Sequence, residues 1–117
     1  MPILYLTNDL MFSSQVVSAA EQRGLDVELI GDADALVARA QETDVQLVLI
    51  DLTAPGADPP KIVSALRLHP SGATRVVAYG PHVDEAVLAA AVESGCDLVL
   101  SRGQFHQQFP ILLDAVE

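Results

Sequence analysis

At residues 46–58 the sequence reads Gln-Leu-Val-Leu-Ile-Asp-Leu-Thr-Ala-Pro-Gly-Ala-Asp. The apolar run that opens this stretch, from Gln46 to Leu52, is too short for a typical helix and predicts a buried strand. Its hydrophobicity is continuous rather than alternating, which is typical of parallel strands covered by helices on both faces of the sheet. The stretch therefore predicts an α/β fold, with the carboxylate of Asp51 near the end of a buried strand.

Four more short apolar runs and five helical segments complete the predicted pattern. The other strands are expected at Ile3 to Leu6, Val27 to Ile30, Arg75 to Tyr79 and Asp97 to Leu100. The first helix is expected at Phe12 to Gln22, the second from near Asp32, and the third after Asp58 and ending before Pro70. The fourth is expected from Asp84 and Glu85 to Gly95, and the last from about His106 to Val116. Pro110 is tolerated only if it lies in the first turn of that last helix. This alternation predicts one domain over residues 1–117, a doubly wound parallel sheet of five βα units.

Composition narrows the classes of function. The net charge is −10, with sixteen acidic and six basic side chains, which argues against nucleic-acid binding because phosphate contacts need a basic surface. No apolar run is long enough to cross a membrane, and no basic region precedes the first strand, so we expect a cytoplasmic protein without membrane contact. The three histidines share no metal-binding spacing, and the single cysteine, Cys96, is interpreted as core packing.

Polar residues follow the predicted strands where functional groups of open parallel sheets collect, at the carboxyl ends. They are Thr7, Asn8 and Asp9 after the first strand, Asp51 and Thr53 around the end of the third, Gly80 after the fourth, and Ser101 with Arg102 after the fifth. The pattern predicts a small polar cleft that contains both acidic and basic groups.

The chain resembles the receiver domains of response regulators in two-component signalling. The resemblance rests on Leu49 to Asp58, where a proline, a glycine and an aspartate follow Asp51, on Glu93 to Asp97, and on Gly24. It implies a flavodoxin-like fold with strand order 2-1-3-4-5 and a phosphoacceptor at Asp51. It also implies a histidine kinase or downstream effector as partner, and a possible homodimer through the fourth helix, fifth strand and last helix.

Several positions depart from the receiver pattern. The two acids that help receivers to hold Mg²⁺ are replaced by Thr7 and Asn8, and the hydroxyl residue after the fourth strand is replaced by Gly80. The aromatic residue of the fifth strand is replaced by Val99, while Arg102 stands where receivers have lysine. Both halves of the receiver switch are thus absent.

Charge balance suggests why these losses occur together. We expect Asp51 and Arg102 to form an ion pair, so that the site needs no metal. This predicts a pseudo-receiver that acts through protein contacts, has no enzymatic role and carries no cofactor. One alternative is a working phosphoacceptor in which Asp9 and Asp51 hold Mg²⁺, although Asp9 is equally suited to cap the first helix. Another is a small flavodoxin-like enzyme or ligand-binding domain.

Overall fold

The computed structural model describes residues 2–68 and 74–116, in which five strands alternate with five helices. The strands are β1 (Ile3–Leu6), β2 (Val27–Ile30), β3 (Leu47–Asp51), β4 (Arg75–Gly80) and β5 (Leu98–Ser101). The helices are α1 (Leu10–Gln22), α2 (Ala33–Glu42), α3 (Pro59–Arg67), α4 (Glu85–Glu93) and α5 (Arg102–Asp114). The predicted α/β alternation is confirmed. Pro70, which was expected to follow α3, lies outside the described residues.

All strand pairs are parallel, and the order across the sheet is β2-β1-β3-β4-β5. The predicted order is therefore confirmed, with β2 and β5 at the edges. In the register, Leu6 lies opposite Ile50 and Asp51 lies opposite Tyr79. Because the strands run the same way, the carboxyl ends of β1, β3 and β4 meet at one edge of the sheet.

Alternate residues of each strand pack into two separate cores. Leu4, Val48 and Val76 face α2, α3 and α4, whereas Tyr5 and Leu49 face α1 and α5. Since both faces are buried, the strands need no polar alternation, which explains their unbroken apolar runs. None of the helices within residues 2–68 and 74–116 is long and apolar enough to cross a membrane.

The helix boundaries follow local capping signals. Asp32 caps α2 by accepting a hydrogen bond from the amide of Asp34. Asp58 occupies the corresponding position before α3, but its side chain makes no capping hydrogen bond; the two prolines that follow do lie in the first turn, as expected. Gly24 follows α1 with a φ of 70°, a conformation that favours glycine.

The predicted bounds of the last helix were wrong. We expected it from about His106, whereas α5 begins at Arg102, so Pro110 lies inside the helix rather than in its first turn. The start is fixed by a capping box in which Ser101 and Gln104 each accept a backbone hydrogen bond from the other residue. This polar signal places the first turn of α5 directly at the functional edge of the sheet.

Candidate functional site

Asp51 ends β3 and is 4% exposed. Its Oδ2 accepts a hydrogen bond of 2.8 Å from the hydroxyl of Thr7, the residue that follows β1. Its Oδ1 accepts from the amide of Thr53 at 3.0 Å and from the Thr53 hydroxyl at 2.6 Å. Two hydroxyls and one amide therefore donate to the buried carboxylate, which offsets part of the cost of burying its charge.

The expected ion pair between Asp51 and Arg102 is absent. Arg102, the first residue of α5, instead pairs with Asp9, and its side chain is 52% exposed. A guanidinium buried against Asp51 would lose much of its hydration, whereas the hydroxyls of Thr7 and Thr53 reach the carboxylate at a smaller desolvation cost. Arg102 consequently binds the carboxylate of Asp9 at the exposed rim of the site rather than the buried carboxylate of Asp51.

The three polar residues that follow β1 have different surroundings. Only Thr7 bonds to Asp51, and its oxygen also accepts from the amide of Asp9 at 3.1 Å. Asn8 is exposed and its carboxamide lies over Gly31, where an added Cβ would be 2.8 Å from Asn8 Oδ1. Asp9 caps α1 by accepting from the amide of Phe12 at 3.0 Å, as one of our two interpretations expected.

Gly80 is buried at the end of β4, beside leucine side chains. An added Cβ would lie 3.4 Å from Leu52 Cβ and 3.6 Å from Leu88 Cδ2. Val99 is partly buried and packs on the core formed with α2, α3 and α4. The position that carries a hydroxyl in receivers is therefore surrounded by apolar side chains, a feature that sequence reasoning missed even though Leu52 directly follows Asp51.

A buried tyrosine pair lies in the core beneath the same edge and was also missed. The hydroxyl oxygens of Tyr5 and Tyr79 share a hydrogen bond of 2.6 Å, and the Tyr79 ring stacks on Phe105 of α5 with centroids 4.1 Å apart. Burial raises the pKa of both tyrosines, that of Tyr79 to about 12, and the nearby Asp51 carboxylate contributes in the same direction. The signal for this pair was available, because Tyr5 precedes Thr7 by two residues and so faces the same side of the sheet.

Other candidate groups stay apart from this site. His82 is exposed in the turn between β4 and α4, His106 is exposed on α5, and His69 lies outside the described residues. Cys96 is half-buried against the core and burial raises the pKa of its thiol. In the part of the chain that the structure describes, no group of three or more His, Cys, Asp or Glu side chains is placed to hold a metal ion.

Comparison with known proteins identifies the fold. No protein-family model matches the sequence, and no curated protein matches it. Among solved structures, a response regulator from Chloroflexus aurantiacus superposes with a TM-score of 0.80 and 15% identity over 97% of this chain and 96% of that one.

Two further similar structures show how this fold is used elsewhere. The receiver domain of the sensor histidine kinase PA1611 from Pseudomonas aeruginosa, with magnesium coordinated in its active-site cleft, has a TM-score of 0.80 and 16% identity over 97% of this chain and 93% of that one. A streptococcal redox sensor from a family that evolved from two-component response regulators has a TM-score of 0.80 and 11% identity over 98% of this chain and 50% of that one. The chain has the fold of response-regulator receiver domains.

Proposed function

We propose that this protein is a signal-transduction module of the receiver type whose phosphoacceptor chemistry is impaired, and that it acts by binding other proteins rather than as an enzyme. The observation that carries the proposal is the state of Asp51. Both of its oxygens accept hydrogen bonds from Thr7 and Thr53. A pseudo-receiver of this kind has its acceptor carboxylate stabilised from within the protein.

The residues of the site are a poor fit for a divalent cation. Mg²⁺ is bound in proteins largely by carboxylates and water, yet the two positions beside Asp51 that would supply acids carry Thr7 and Asn8. Both oxygens of Asp9 are also engaged, one by the amide of Phe12 and one by Arg102. Phosphoryl transfer depends on neutralising charge on the transferred group, so we expect transfer to Asp51 to be slow or absent.

Partner binding is best supported on α4 and the turn that precedes it. Val83, Val87 and Val92 are 73%, 42% and 60% exposed, and Ala91 is the one buried residue of this helix. We call Val83 to Glu93 the α4 surface. Its apolar side chains lie beside acidic ones, and no basic residue occurs within it. Exposed apolar side chains with acidic neighbours suit a partner segment that combines apolar and basic side chains.

The rest of the charge distribution favours the same class of partner. Five of the protein's six basic side chains, all in the described ranges, already pair with acids of the same chain; they are Arg23, Arg39, Lys61, Arg67 and Arg102. Few cations are left to balance a second acidic copy. We therefore favour a histidine kinase or effector with a basic docking segment over a homodimer through α4, β5 and α5.

Mass spectrometry after incubation with Mg²⁺ and acetyl phosphate tests the first part of the proposal. We expect no phosphoryl adduct on the wild-type protein. The double variant Thr7→Asp/Asn8→Asp restores the acidic pair and serves as the comparison, with Asp51→Asn in that background to verify the site. Stoichiometric modification of wild-type Asp51 would establish a working phosphoacceptor instead.

Sedimentation velocity tests the preference for a different partner. We expect the wild-type protein to remain monomeric at low ionic strength, where repulsion between acidic surfaces is strongest. A dimer that Val87→Asp abolishes, without a change in folding, would replace the proposed docking segment with a second copy of the chain.

A further inference from the structure

Two sets of contacts connect Asp51 to the first turn of α5. The first set is polar and follows the rim of the site. The Thr7 hydroxyl donates to Asp51 and accepts from the amide of Asp9, and the Asp9 carboxylate pairs with Arg102 at the start of α5. A change in the hydrogen bonds of Asp51 can thus reach α5 through three successive contacts.

The second set is aromatic and lies beneath the first. Tyr79 is opposite Asp51 in the β3–β4 register, and its ring stacks on Phe105 at an interplanar angle of 8°. The Tyr79 hydroxyl bonds to Tyr5 of β1, and both tyrosines belong to the core on the α1/α5 face of the sheet. Tyr5, Tyr79 and Phe105 are each at most 2% exposed, so none of these rings can shift without moving a packed neighbour.

We propose that Asp51 and the first turn of α5 form one coupled unit, linked through Thr7 and Asp9 on the rim and through the Tyr79–Phe105 stack in the core. This route uses neither Gly80 nor Val99. A partner that binds near the start of α5 alters the hydrogen bonds of Asp51, and a change at Asp51 alters α5 to the same extent, because coupling between two sites is reciprocal. The inference goes beyond the proposed function and holds whether or not Asp51 accepts a phosphoryl group.

Asp51→Asn is the most direct perturbation because it keeps the size of the side chain. An amide nitrogen donates where a carboxylate oxygen accepts. The backbone amide of Thr53 donates to the Oδ1 position and cannot turn away, so the new amide nitrogen faces Thr7. Thr53 is exposed and can turn to water. Thr7 is 4% exposed and already accepts from Asp9, so a rotation of its hydroxyl disturbs the polar connection to Arg102.

The protein contains its own spectroscopic probe of the aromatic connection. Tyr5 and Tyr79 are its only tyrosines and it has no tryptophan, so near-ultraviolet circular dichroism and tyrosine fluorescence report mainly on this pair. We expect Asp51→Asn to change both signals and to shift the backbone amide resonances of Phe105 and His106. Val99→Ala, which alters the other face of the sheet, is the matched control and should leave them unchanged.

A double-mutant cycle between Asp51→Asn and Phe105→Leu measures the coupling itself. We expect the unfolding equilibrium constant of the double variant to differ at least about threefold from the product of the single effects, since residues in one connected network are not additive. If Asp51→Asn does not fold, Thr7→Val takes its place in the cycle. Additive effects together with unchanged Phe105 and His106 resonances would overturn the inference, whatever the phosphorylation assay shows.

Discussion

Replacing Thr7 with valine tests the central contact of the site. Valine keeps the shape of threonine but lacks the hydroxyl that donates to Asp51 Oδ2 at 2.8 Å. A hydrogen bond to a charged group contributes about 1.5–3 kcal/mol, and the remaining acceptor stays buried without a donor. The amide of Asp9 also loses its acceptor. We therefore expect Thr7→Val to lower the free energy of unfolding by about 3 kcal/mol, which corresponds to roughly 12 °C in Tm.

Thr53→Val is the matched comparison. Thr53 is exposed and its amide still donates to Asp51 after the hydroxyl is removed, so water can replace the lost bond and we expect a cost of about 1 kcal/mol. Urea unfolding followed by circular dichroism gives both values, and equal m-values would show that the unfolded states are comparable. If Thr53→Val costs as much as Thr7→Val, the assignment of Thr7 as the essential donor is wrong.

Four further substitutions, in three experiments, test other parts of the structure. Burial alone would raise the pKa of Asp97, but its hydrogen bond with the amide of Val76 and its contact with Arg67 lower it below the usual value. The stabilisation that comes from this lowered pKa is complete above the unfolded pKa of about 3.9 and is lost as pH falls through the folded pKa. Asp97→Asn should therefore make the free energy of unfolding fall less steeply with pH in acid titrations. An unchanged pH dependence of stability would contradict this assignment. Pro110→Ala restores a backbone donor inside α5 and should stabilise the protein by about 1–2 kcal/mol, whereas a loss of stability in thermal unfolding would show that the helix depends on the proline ring. Gly24→Ala should lower the free energy of unfolding by about 1 kcal/mol because the φ of Gly24 is 70°. Gly103 lies in open space in the first turn of α5, so Gly103→Ala should raise the free energy of unfolding by about 0.5–1 kcal/mol. Equal effects of the two substitutions in denaturant unfolding would refute this distinction.

The strands were predictable from the sequence to within about one residue of their observed bounds. Their apolar runs end at polar residues or glycine, so pattern and boundary coincide, as at Ile3–Leu6. The start of α5 was not predicted because its first turn carries Arg102, Gly103 and Gln104 and shows no apolar spacing. The capping box at Ser101 was the signal that could have located it.

The location of the site was predictable, but its internal pairing was not. Asp51, Thr7 and Arg102 all lie at the carboxyl edge of the sheet, as expected. Differences of a few ångströms decide whether a cation or a neutral donor reaches a buried carboxylate. A sequence pattern does not contain such distances. Strand alternation indicates the face on which Tyr5 lies, but its contact with Tyr79 across β3 also depends on the strand order and register.

The two edges of the sheet differ in how they resist unwanted strand pairing. At β2, Glu28 lies within the strand and pairs with Arg39, and a charge on an edge strand discourages another chain from adding to it. Strand β5 has the sequence Leu-Val-Leu-Ser and carries no charge of its own. Aggregation of partly opened molecules should therefore begin at β5, and a lysine within that strand is the substitution to try first if the protein precipitates.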